Sequence, residues 1–507
     1  MSLSKSKVID DFNFFKKRAI YNSNKKNIKK AVVYTELTAK IGYNFNFKYS
    51  DNELENNILK IATSIINTKI SFDSIPDRIV FHDSFSIDNR GLTQQYLRAI
   101  FSWNSDLLYI ANKNTIGEQI LKELNHYPKS KILILSEESF EKNFLFAKDE
   151  IIKFKPSKAF LHFSPWEILG IALWSQITSV ERFLINLTDH AFWLGKSCLD
   201  YIIEFRNYGC YLSENERGIL KEKILYQPYY PIISSSIFNG FPISTNNKII
   251  AFAGSSYYKV YGENFFLLKM IKEVLIENSN LLFLFAGSGD VKPIRRFIKE
   301  NKLEQCFILI GYRSDISEVV KNIDIYVNTY PLMGGLMSQY AALMNKPIIG
   351  YSDEKLYDVN DTEDLLGISK RGILTRKTQK SFIDYFNELV RNIEIRNENI
   401  AYTKNALLQP KEFNQLLKKT IENKIQSLIT SEIGVDKNKV FETYLDVENS
   451  YLNNYNNLLF SSLKLRMILI KPREFIQFFL KRFSERFLNT YKMLTTLHPS
   501  KKKNSFL

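Results

Sequence analysis

Cysteine is scarce in this chain: among 507 residues there are three, Cys198, Cys210 and Cys306. They form no Cys-x-x-Cys pair and no even-numbered framework, which argues against both a zinc site and a disulfide scaffold. Long apolar runs are also missing, since no window approaches about eighteen apolar residues and the first residues lack the apolar stretch of a secretory signal. We therefore expect a cytoplasmic protein that is neither exported nor inserted across a membrane.

The chain has enough length and apolar content for more than one core. Its 507 residues exceed what one core usually holds, and 45% of them are hydrophobic. Short apolar runs of strand length, separated by spacers of helical period, occur in two series: 78–82, 106–111, 131–136, 159–163 and 183–187, then 248–252, 281–286, 307–310, 323–327 and 347–350. Parallel sheets covered by helices show this alternation. The predicted class is thus α/β, with two doubly wound domains.

Composition divides the chain into four segments. Residues 1–75 are rich in Lys and Asn and have no assignable role, residues 76–235 hold the first series of strands, and residues 236–400 hold the second. The connection, 227–247, has three prolines and little periodicity, as a linker would. Residues 401–507 are predicted to be mostly helical and to end in a basic tail.

Much of the formal net charge of +15 lies in that tail, where from residue 458 onward eleven Lys or Arg stand against two acidic residues. Large apolar residues at helical spacing lie between these charges: Phe475, Phe478, Phe479, Leu480, Phe483, Phe487 and Leu488. A basic, aromatic amphipathic helix favours an anionic membrane surface, and Lys501-Lys502-Lys503 supports a peripheral membrane location. Alternatively, the same face packs on the protein's own N-terminal domain. No nucleic acid is expected, because no reading motif accompanies the charge.

Loops after the predicted strands carry the candidate ligand site, because ligands of open α/β sheets bind beyond the carboxyl ends of the strands. In the second series those ends are followed by Gly254-Ser255-Ser256, by Tyr312-Arg313 and by residues 331–335. Gly334 and Gly335 open a predicted helix over 336–344, where backbone N–H groups can approach an anion without interference from a Cβ atom. A diphosphate suits such a site.

The same region carries a family resemblance. The strings AGSG, GYRSD, DIYVNTYPLMGG and AALMNKPIIG, in this order, resemble the C-terminal domain of GT-B glycosyltransferases. Upstream, DHAFWLG at residues 189–195 is similar to an element of bacterial glycosyltransferases that are themselves similar to the O-GlcNAc transferase type. The resemblance spans about residues 78–376. It implies a GT-B fold, with two Rossmann-like domains facing a cleft, and transfer of a hexosyl or N-acetylhexosaminyl group from a UDP-linked donor.

The resemblance also implies roles for individual residues. On the donor side these are Gly254, Ser255, Ser256, Lys259, Tyr312, Arg313, Pro331, Gly334, Gly335 and Ser338. Lys259 would neutralise the diphosphate leaving group, unless it is simply a solvated surface lysine. Arg313 would lie near the nucleobase, or else pair with Asp315. On the acceptor side the loop contains Asp88, Asn89, Arg90 and Gly91.

His190 and Asp189 of the DHAFWLG element are the candidate catalytic pair. An imidazole with a pKa near neutrality can accept a proton from an acceptor hydroxyl, and Asp189 can orient it or act as the base itself. A purely structural histidine is the alternative. Phe192 and Trp193 are predicted to lie in the core rather than to form a sugar platform.

One departure from larger GT-B families bears on the mechanism. Retaining members carry a glutamate on the helix before the final Gly-x-Pro, whereas this helix has Gln339 and Tyr340. Inversion is therefore expected, and no Asp-x-Asp motif follows a strand in the cleft, so neither a metal nor a cofactor beyond the nucleotide-sugar substrate is implied. The acceptor is a glycan, a lipid-linked molecule or a protein. A sugar-nucleotide 2-epimerase of the same fold and a catalytically silent partner subunit are the rival functions.

Overall fold

A computed structural model describes residues 2–113, 116–136, 139–233, 236–427 and 433–482. The chain forms two compact units, Met1–Tyr451 and Leu452–Leu507. None of the described helices combines the length and the apolar character needed to cross a bilayer.

The first sheet of the larger unit has seven parallel strands in the order β3-β2-β1-β4-β5-β6-β7. Its strands are β1 (Ile75–Asp83), β2 (Asp106–Asn112), β3 (Ser130–Leu135), β4 (Pro156–His162), β5 (Glu181–Ile185), β6 (Tyr201–Glu204) and β7 (Ile224–Tyr226). The helices between them are α4 (Thr93–Ser102), α5 (Glu118–His126), α6 (Phe140–Phe154), α7 (Leu169–Gln176) and α8 (Asn207–Tyr211). The five predicted strands are confirmed. The sequence did not indicate β6 and β7, which have four and three residues and so carry little apolar signal.

The second sheet has six parallel strands in the order β10-β9-β8-β11-β12-β13. They are β8 (Ile249–Ser256), β9 (Leu281–Ser288), β10 (Phe307–Gly311), β11 (Ile325–Val327), β12 (Ile348–Tyr351) and β13 (Thr375–Arg376). The accompanying helices are α9 (Gly262–Glu277), α10 (Lys292–Glu300), α11 (Ile316–Lys321), α12 (Gly335–Leu343), α13 (Thr362–Leu365) and α14 (Gln379–Arg391). Both sheets centre on buried strands of Val, Ile, Leu and Phe, so the predicted class of two doubly wound α/β domains is confirmed.

The N-terminal segment, which had no assignable role in the sequence, consists of three helices: α1 (Lys5–Asn24), α2 (Ile28–Phe45) and α3 (Asn52–Ile65). Each begins at a side-chain cap. Ser4 accepts a hydrogen bond from an N–H of the first turn of α1, and the Asp51 carboxylate accepts two from the first turn of α3. The apolar faces of these helices are buried, so the segment is part of the folded unit.

After the second sheet the chain returns to the first. Helix α15 (Ile393–Thr403) spans the predicted boundary at residue 400, and α16 (Pro410–Asn423) follows it. Apolar residues of α16 belong to the core of the first sheet: Phe413, Leu417 and Ile421. Helix α17 (Lys437–Val447) packs on both α2 and α9. The region beyond residue 400 is therefore helical, as predicted, in the part of the chain that the structure describes.

The smaller unit contains α18 (Tyr455–Leu463), α19 (Met467–Ile470) and a helical segment over residues 472–482. Its aromatic residues pack within the unit, since Phe478 is buried and stacks on Phe460 with ring centroids 4.2 Å apart. Part of the predicted aromatic face is thus used for internal packing. The remaining predicted members of the tail, Phe483, Phe487, Leu488 and Lys501-Lys502-Lys503, lie outside the described residues.

Candidate functional site

A cleft of about 570 Å³ lies between the carboxyl edges of the two sheets. It brings together predicted residues from both domains: Asp88, Asn89 and Arg90 from the first, and Gly254, Ser255, Ser256, Tyr312 and Arg313 from the second. These residues are up to 225 positions apart in the chain, and only the packing of the two domains makes them neighbours. The lining of the cleft also includes side chains that the sequence did not single out, such as Met337 of α12.

Two glycines allow the strand ends at the cleft to pack closely. A Cβ atom on Gly254 would lie 3.0 Å from the Met337 Cε atom, and one on Gly287 would lie 2.3 Å from the Ser255 carbonyl oxygen. The second distance is impossible without movement of the backbone. Gly287 is therefore required by strand packing, while Gly254 permits the first turn of α12 to approach the end of β8.

Arg90 and Tyr312 meet across the cleft. The Arg90 guanidinium donates a 2.9 Å hydrogen bond to the Tyr312 hydroxyl, and its Cζ atom lies 5.7 Å from the centre of the ring. Arg313 points elsewhere: it pairs with Asp315 and donates to the Gly240 carbonyl oxygen. The alternative left open for Arg313, pairing with Asp315, is what the structure shows, although the residue still lines the cleft.

The remaining residues of the acceptor-side loop are held by local contacts. The Asp88 carboxylate accepts hydrogen bonds of 3.0 and 2.9 Å from the backbone N–H groups of Gln119 and Ile120, at the start of α5. The backbone of Asn89 has a positive φ of 58°. Gly91 is not among the residues that line the cleft, and a Cβ atom there would make only ordinary contacts. Asp88 thus shapes the loop, and Arg90 is its exposed cation.

Lys259 follows β8 on a short helical turn. Its Nζ atom donates a 2.9 Å hydrogen bond to the carbonyl oxygen of Met333, in the loop after β11. Burial lowers the pKa of this ammonium group. Among the described residues, no carboxylate lies within 4 Å of it. A half-buried cation without a counterion costs free energy, and an anionic ligand bound beside it would stabilise the charge.

The loop after β11 is tied down by a residue that sequence reasoning missed. The Asn328 side-chain oxygen accepts hydrogen bonds of 2.9 Å from the N–H of Thr329 and 3.0 Å from the N–H of Gly334. The Gly334 N–H is therefore already used inside the loop. Ser338 is fully buried, and its hydroxyl donates to the Gly334 carbonyl oxygen. A polar residue directly after a buried strand was the available signal for Asn328.

Pro331 lies in the same loop, against the turn that carries Lys259. A Cβ atom on Gly262 would lie 2.5 Å from the Pro331 Cγ atom, so the two loops are in tight contact. Gly335, the first residue of α12, faces Leu365. The described residues that line the cleft do not include Lys259, Pro331, Gly334, Gly335 or Ser338. These predicted donor residues therefore do not form the surface of the cleft.

The DHAFWLG element follows β5, at the carboxyl edge of the first sheet. Asp189 is buried, forms an ion pair with Arg206 and lies 3.2 Å from Nδ1 of His190. Burial is the largest single influence and would raise the pKa of this carboxyl, but the charges and hydrogen bonds of Arg206 and His190 together hold the pKa well below its usual range. The His190 side chain is 38% exposed. The geometry therefore suits Asp189 as the group that orients His190; neither residue lines the cleft itself.

The apolar half of the element is core, as predicted. Phe192 and Trp193 are buried, and Phe192 packs so closely on α2 that a Cβ atom on Gly42 would lie 2.8 Å from its ring. Its backbone N–H donates a 2.9 Å hydrogen bond to the side-chain oxygen of Asn46. Glu55 of α3 accepts hydrogen bonds from three consecutive N–H groups farther along, those of residues 195–197. The N-terminal helices thus hold this element in place.

The features bearing on mechanism lie on α12. Gln339, which the sequence resemblance aligns with the acid of retaining enzymes, is buried. Tyr340 lines the cleft and donates its hydroxyl to the Ile232 carbonyl oxygen at 2.7 Å. Within the described ranges, no three His, Cys, Asp or Glu side chains are grouped closely enough to hold a metal ion.

No protein-family model matches the chain, and no curated protein matches its sequence. Among solved structures, a mutant of the Thermobaculum terrenum O-GlcNAc transferase has a TM-score of 0.50 and 11% identity, over 81% of this chain and 84% of that one. HepE of Anabaena in complex with UDP has a TM-score of 0.50 and 12% identity, over 68% of this chain and 100% of that one. Identities this low establish only the fold. Two parallel sheets that face one cleft with their carboxyl edges, together with these similarities, show that the chain has the GT-B fold.

Proposed function

We propose that this protein is a glycosyltransferase that moves a hexosyl or N-acetylhexosaminyl group from a UDP-linked donor to a glycan, lipid-linked or protein acceptor. The observation that carries the proposal is Lys259. Lys259 does not line the cleft, but Ser256, three residues before it, does; the Lys259 ammonium is half-buried, has only a carbonyl oxygen as partner and lacks a carboxylate among the described residues. A diphosphate supplies the missing negative charge, and similarity to a structure that contains UDP supports uridine as the nucleoside.

The proposed donor site follows from the loops around the cleft. Gly254, Ser255 and Ser256 border the space for the diphosphate, and Tyr312 borders the mouth, where the nucleoside fits. Lys259 stabilises the charge that develops on the diphosphate as the bond from the anomeric carbon to the leaving oxygen breaks. Because this charge is greatest in the transition state, the contribution of Lys259 falls mainly on turnover.

The proposed acceptor chemistry uses His190. Since Nδ1 of His190 lies beside Asp189, Nε2 is left to take the proton of an acceptor hydroxyl. The acceptor oxygen then bonds to the anomeric carbon as the nucleoside diphosphate leaves from the opposite face, which inverts the configuration. Buried Gln339, in place of the acid of retaining enzymes, supports inversion. We further propose that the reaction needs no metal ion and takes place in the cytoplasm, which suits the three free cysteines.

A nucleotide-binding experiment tests the proposal directly. Thermal shifts and calorimetry with UDP, UDP-glucose and UDP-N-acetylglucosamine, against ADP and GDP as controls, should show selective uridine-nucleotide binding that Lys259→Met weakens. Release of UDP that depends on an added acceptor identifies a transferase. Conversion of the donor sugar without an acceptor would instead identify a 2-epimerase. Absence of any nucleotide binding would overturn the proposal in favour of a catalytically silent partner subunit.

A further inference from the structure

The smaller unit leaves several large aliphatic side chains in solvent, while its aromatic rings contact one another; Phe478 is buried, and Phe479 is 46% exposed. Leu465 and Leu469 are 70% and 87% exposed, and Ile468 beside them is also exposed. We call these three residues, which lie on and just before α19, the aliphatic knuckle. Farther along, Ile476 and Leu480 are exposed at a spacing of four residues on the helical segment 472–482, and so lie on one side of it.

This exposure is not the result of a unit without a core. Phe478 stacks on Phe460, and Leu463 and Met467 are buried although each lies within two positions of a knuckle residue. The fold therefore separates two apolar sets, one packed inside and one turned outward. Contiguous exposed aliphatic residues are unusual on a monomeric surface and mark a place where the protein contacts a partner or a membrane.

The charges around the knuckle indicate which kind of partner. Between residues 464 and 482 there are six basic residues, Lys464, Arg466, Lys471, Arg473, Lys481 and Arg482, against one acid, Glu474. Lys464 and Arg466 flank Leu465 directly and are exposed. Aliphatic side chains between cations complement the headgroup boundary of an anionic bilayer, where the chains enter the acyl region and the cations remain with the phosphates.

We propose that the aliphatic knuckle is the membrane-binding surface of this protein, and that it inserts into the headgroup region of anionic bilayers. This proposal does not depend on the proposed transferase activity. It also differs from the expectation drawn from the sequence, because the inserted residues are the aliphatic ones on and just before α19 and not the aromatic face. Of that face, Phe478 is packed inside, and Phe479, which is 46% exposed, rests against Phe475 and Phe478. Attraction by the flanking cations should be screened by salt, whereas insertion should be abolished by acidic substitutions in the knuckle.

The test uses the full chain and vesicles of equal parts phosphatidylglycerol and phosphatidylcholine, with pure phosphatidylcholine for comparison. We expect co-sedimentation with the anionic vesicles alone, and release by added salt. The double variant Leu465→Glu/Leu469→Glu should lower the partition coefficient by about tenfold or more. A matched control is Ile237→Glu/Ile276→Glu, which places the same two charges at aliphatic positions that are 87% and 67% exposed in the larger unit. It should bind as the wild type does.

A second measurement does not require that an acidic variant stay folded. In Leu469→Trp the new indole replaces an exposed side chain, and its fluorescence should shift to shorter wavelength when anionic vesicles are added. The proposal would be overturned if the wild-type protein did not co-sediment with anionic vesicles, or if the indole emission did not shift when they were added. A dimer that Leu465→Glu/Leu469→Glu dissociates, in protein that does not bind vesicles, would instead assign the knuckle to contact between two copies.

Discussion

The Asp364 carboxylate, in the second domain, accepts a 2.9 Å hydrogen bond from the backbone N–H of Tyr208, in the first. Its other oxygen accepts one of 2.9 Å from the N–H of Asn207, so Asp364 caps the start of α8 across the domain boundary. Beside it, Arg206 donates to the Val359 carbonyl oxygen of the second domain at 3.0 Å while it pairs with Asp189. The second domain thereby holds the residues that position His190.

Replacing Asp364 tests this connection. Asp364→Ala leaves the buried N–H of Tyr208 and the half-buried N–H of Asn207 without acceptors, and we expect a loss of about 2–4 kcal/mol in the free energy of unfolding. Burial raises the pKa of Asp364, so its ionised form is itself costly, and Asp364→Asn should be the milder change. Urea unfolding followed by tryptophan fluorescence measures both. Equal stability of the alanine variant and the wild type would show that the cap contributes nothing.

Asp189 and His190 should respond differently to substitution, although they are neighbours. Asp189→Asn leaves the buried Arg206 cation unpaired, and we expect a loss of about 3–5 kcal/mol in stability. Because the folded pKa of Asp189 is depressed, its contribution to stability is fully present above the unfolded pKa, roughly 3.9, declines as the pH falls below that value and is lost only as the pH passes the folded pKa. Unfolding free energies measured from pH 7 to 3 should show the onset of this loss in the wild type, and a weaker pH dependence in the variant.

His190→Ala should instead abolish sugar transfer while the melting temperature stays within a few degrees, because the side chain is partly exposed on a loop. His126→Ala, at an exposed position on α5, is the matched control and should keep full activity. Transfer rates with saturating donor and acceptor provide the measurement. An unstable His190→Ala protein whose folded fraction still transfers sugar would assign His190 a structural role.

Lys259→Met should lower turnover by about 10²-fold or more, on the order of 2.7 kcal/mol of lost leaving-group stabilisation, with a smaller loss of nucleotide affinity. Stability should not fall, since burial already disfavours the charged form of this lysine and methionine removes that cost. Lys269→Met, at an exposed position on α9, is the control. Turnover within threefold of the wild type would remove Lys259 from the proposed mechanism.

Glu55 should affect stability and activity through residues 195–197, which are distant from it in the sequence. It accepts hydrogen bonds from the N–H groups of Gly195, Lys196 and Ser197, so Glu55→Ala should lower the free energy of unfolding by about 3 kcal/mol and impair transfer through the DHAFWLG element. Glu53→Ala, at a 65% exposed position on the same helix, should be nearly neutral. Thermal unfolding and transfer assays compare the two. Similar effects of both variants would contradict a specific role for Glu55.

Local patterns in the sequence predicted most of the sheet but not the contacts that fix the site. Long apolar runs such as those of β2 and β9 can be recognised as strands from the sequence alone. The three residues of β7, by contrast, form a strand only by pairing with β6. The sequence suggested that the Gly334 N–H would donate a hydrogen bond to an anion, but in the structure it already donates one to the Asn328 side chain. Glu55 and residues 195–197 are about 140 positions apart, and no periodicity links them. Such pairings are decided by tertiary packing.

The return of α16 to the core of the first sheet has a consequence for engineering. Because Phe413, Leu417 and Ile421 complete that core, residues 249–403 are an internal cassette within a domain whose own chain is discontinuous, and Val440 of α17 adds to the core of the cassette from outside it. The second domain could not be exchanged by joining the front half of one protein to the back half of another. A functional chimera would have to replace the cassette and retain the host's α16, so that the recombination points lie near residues 245 and 405.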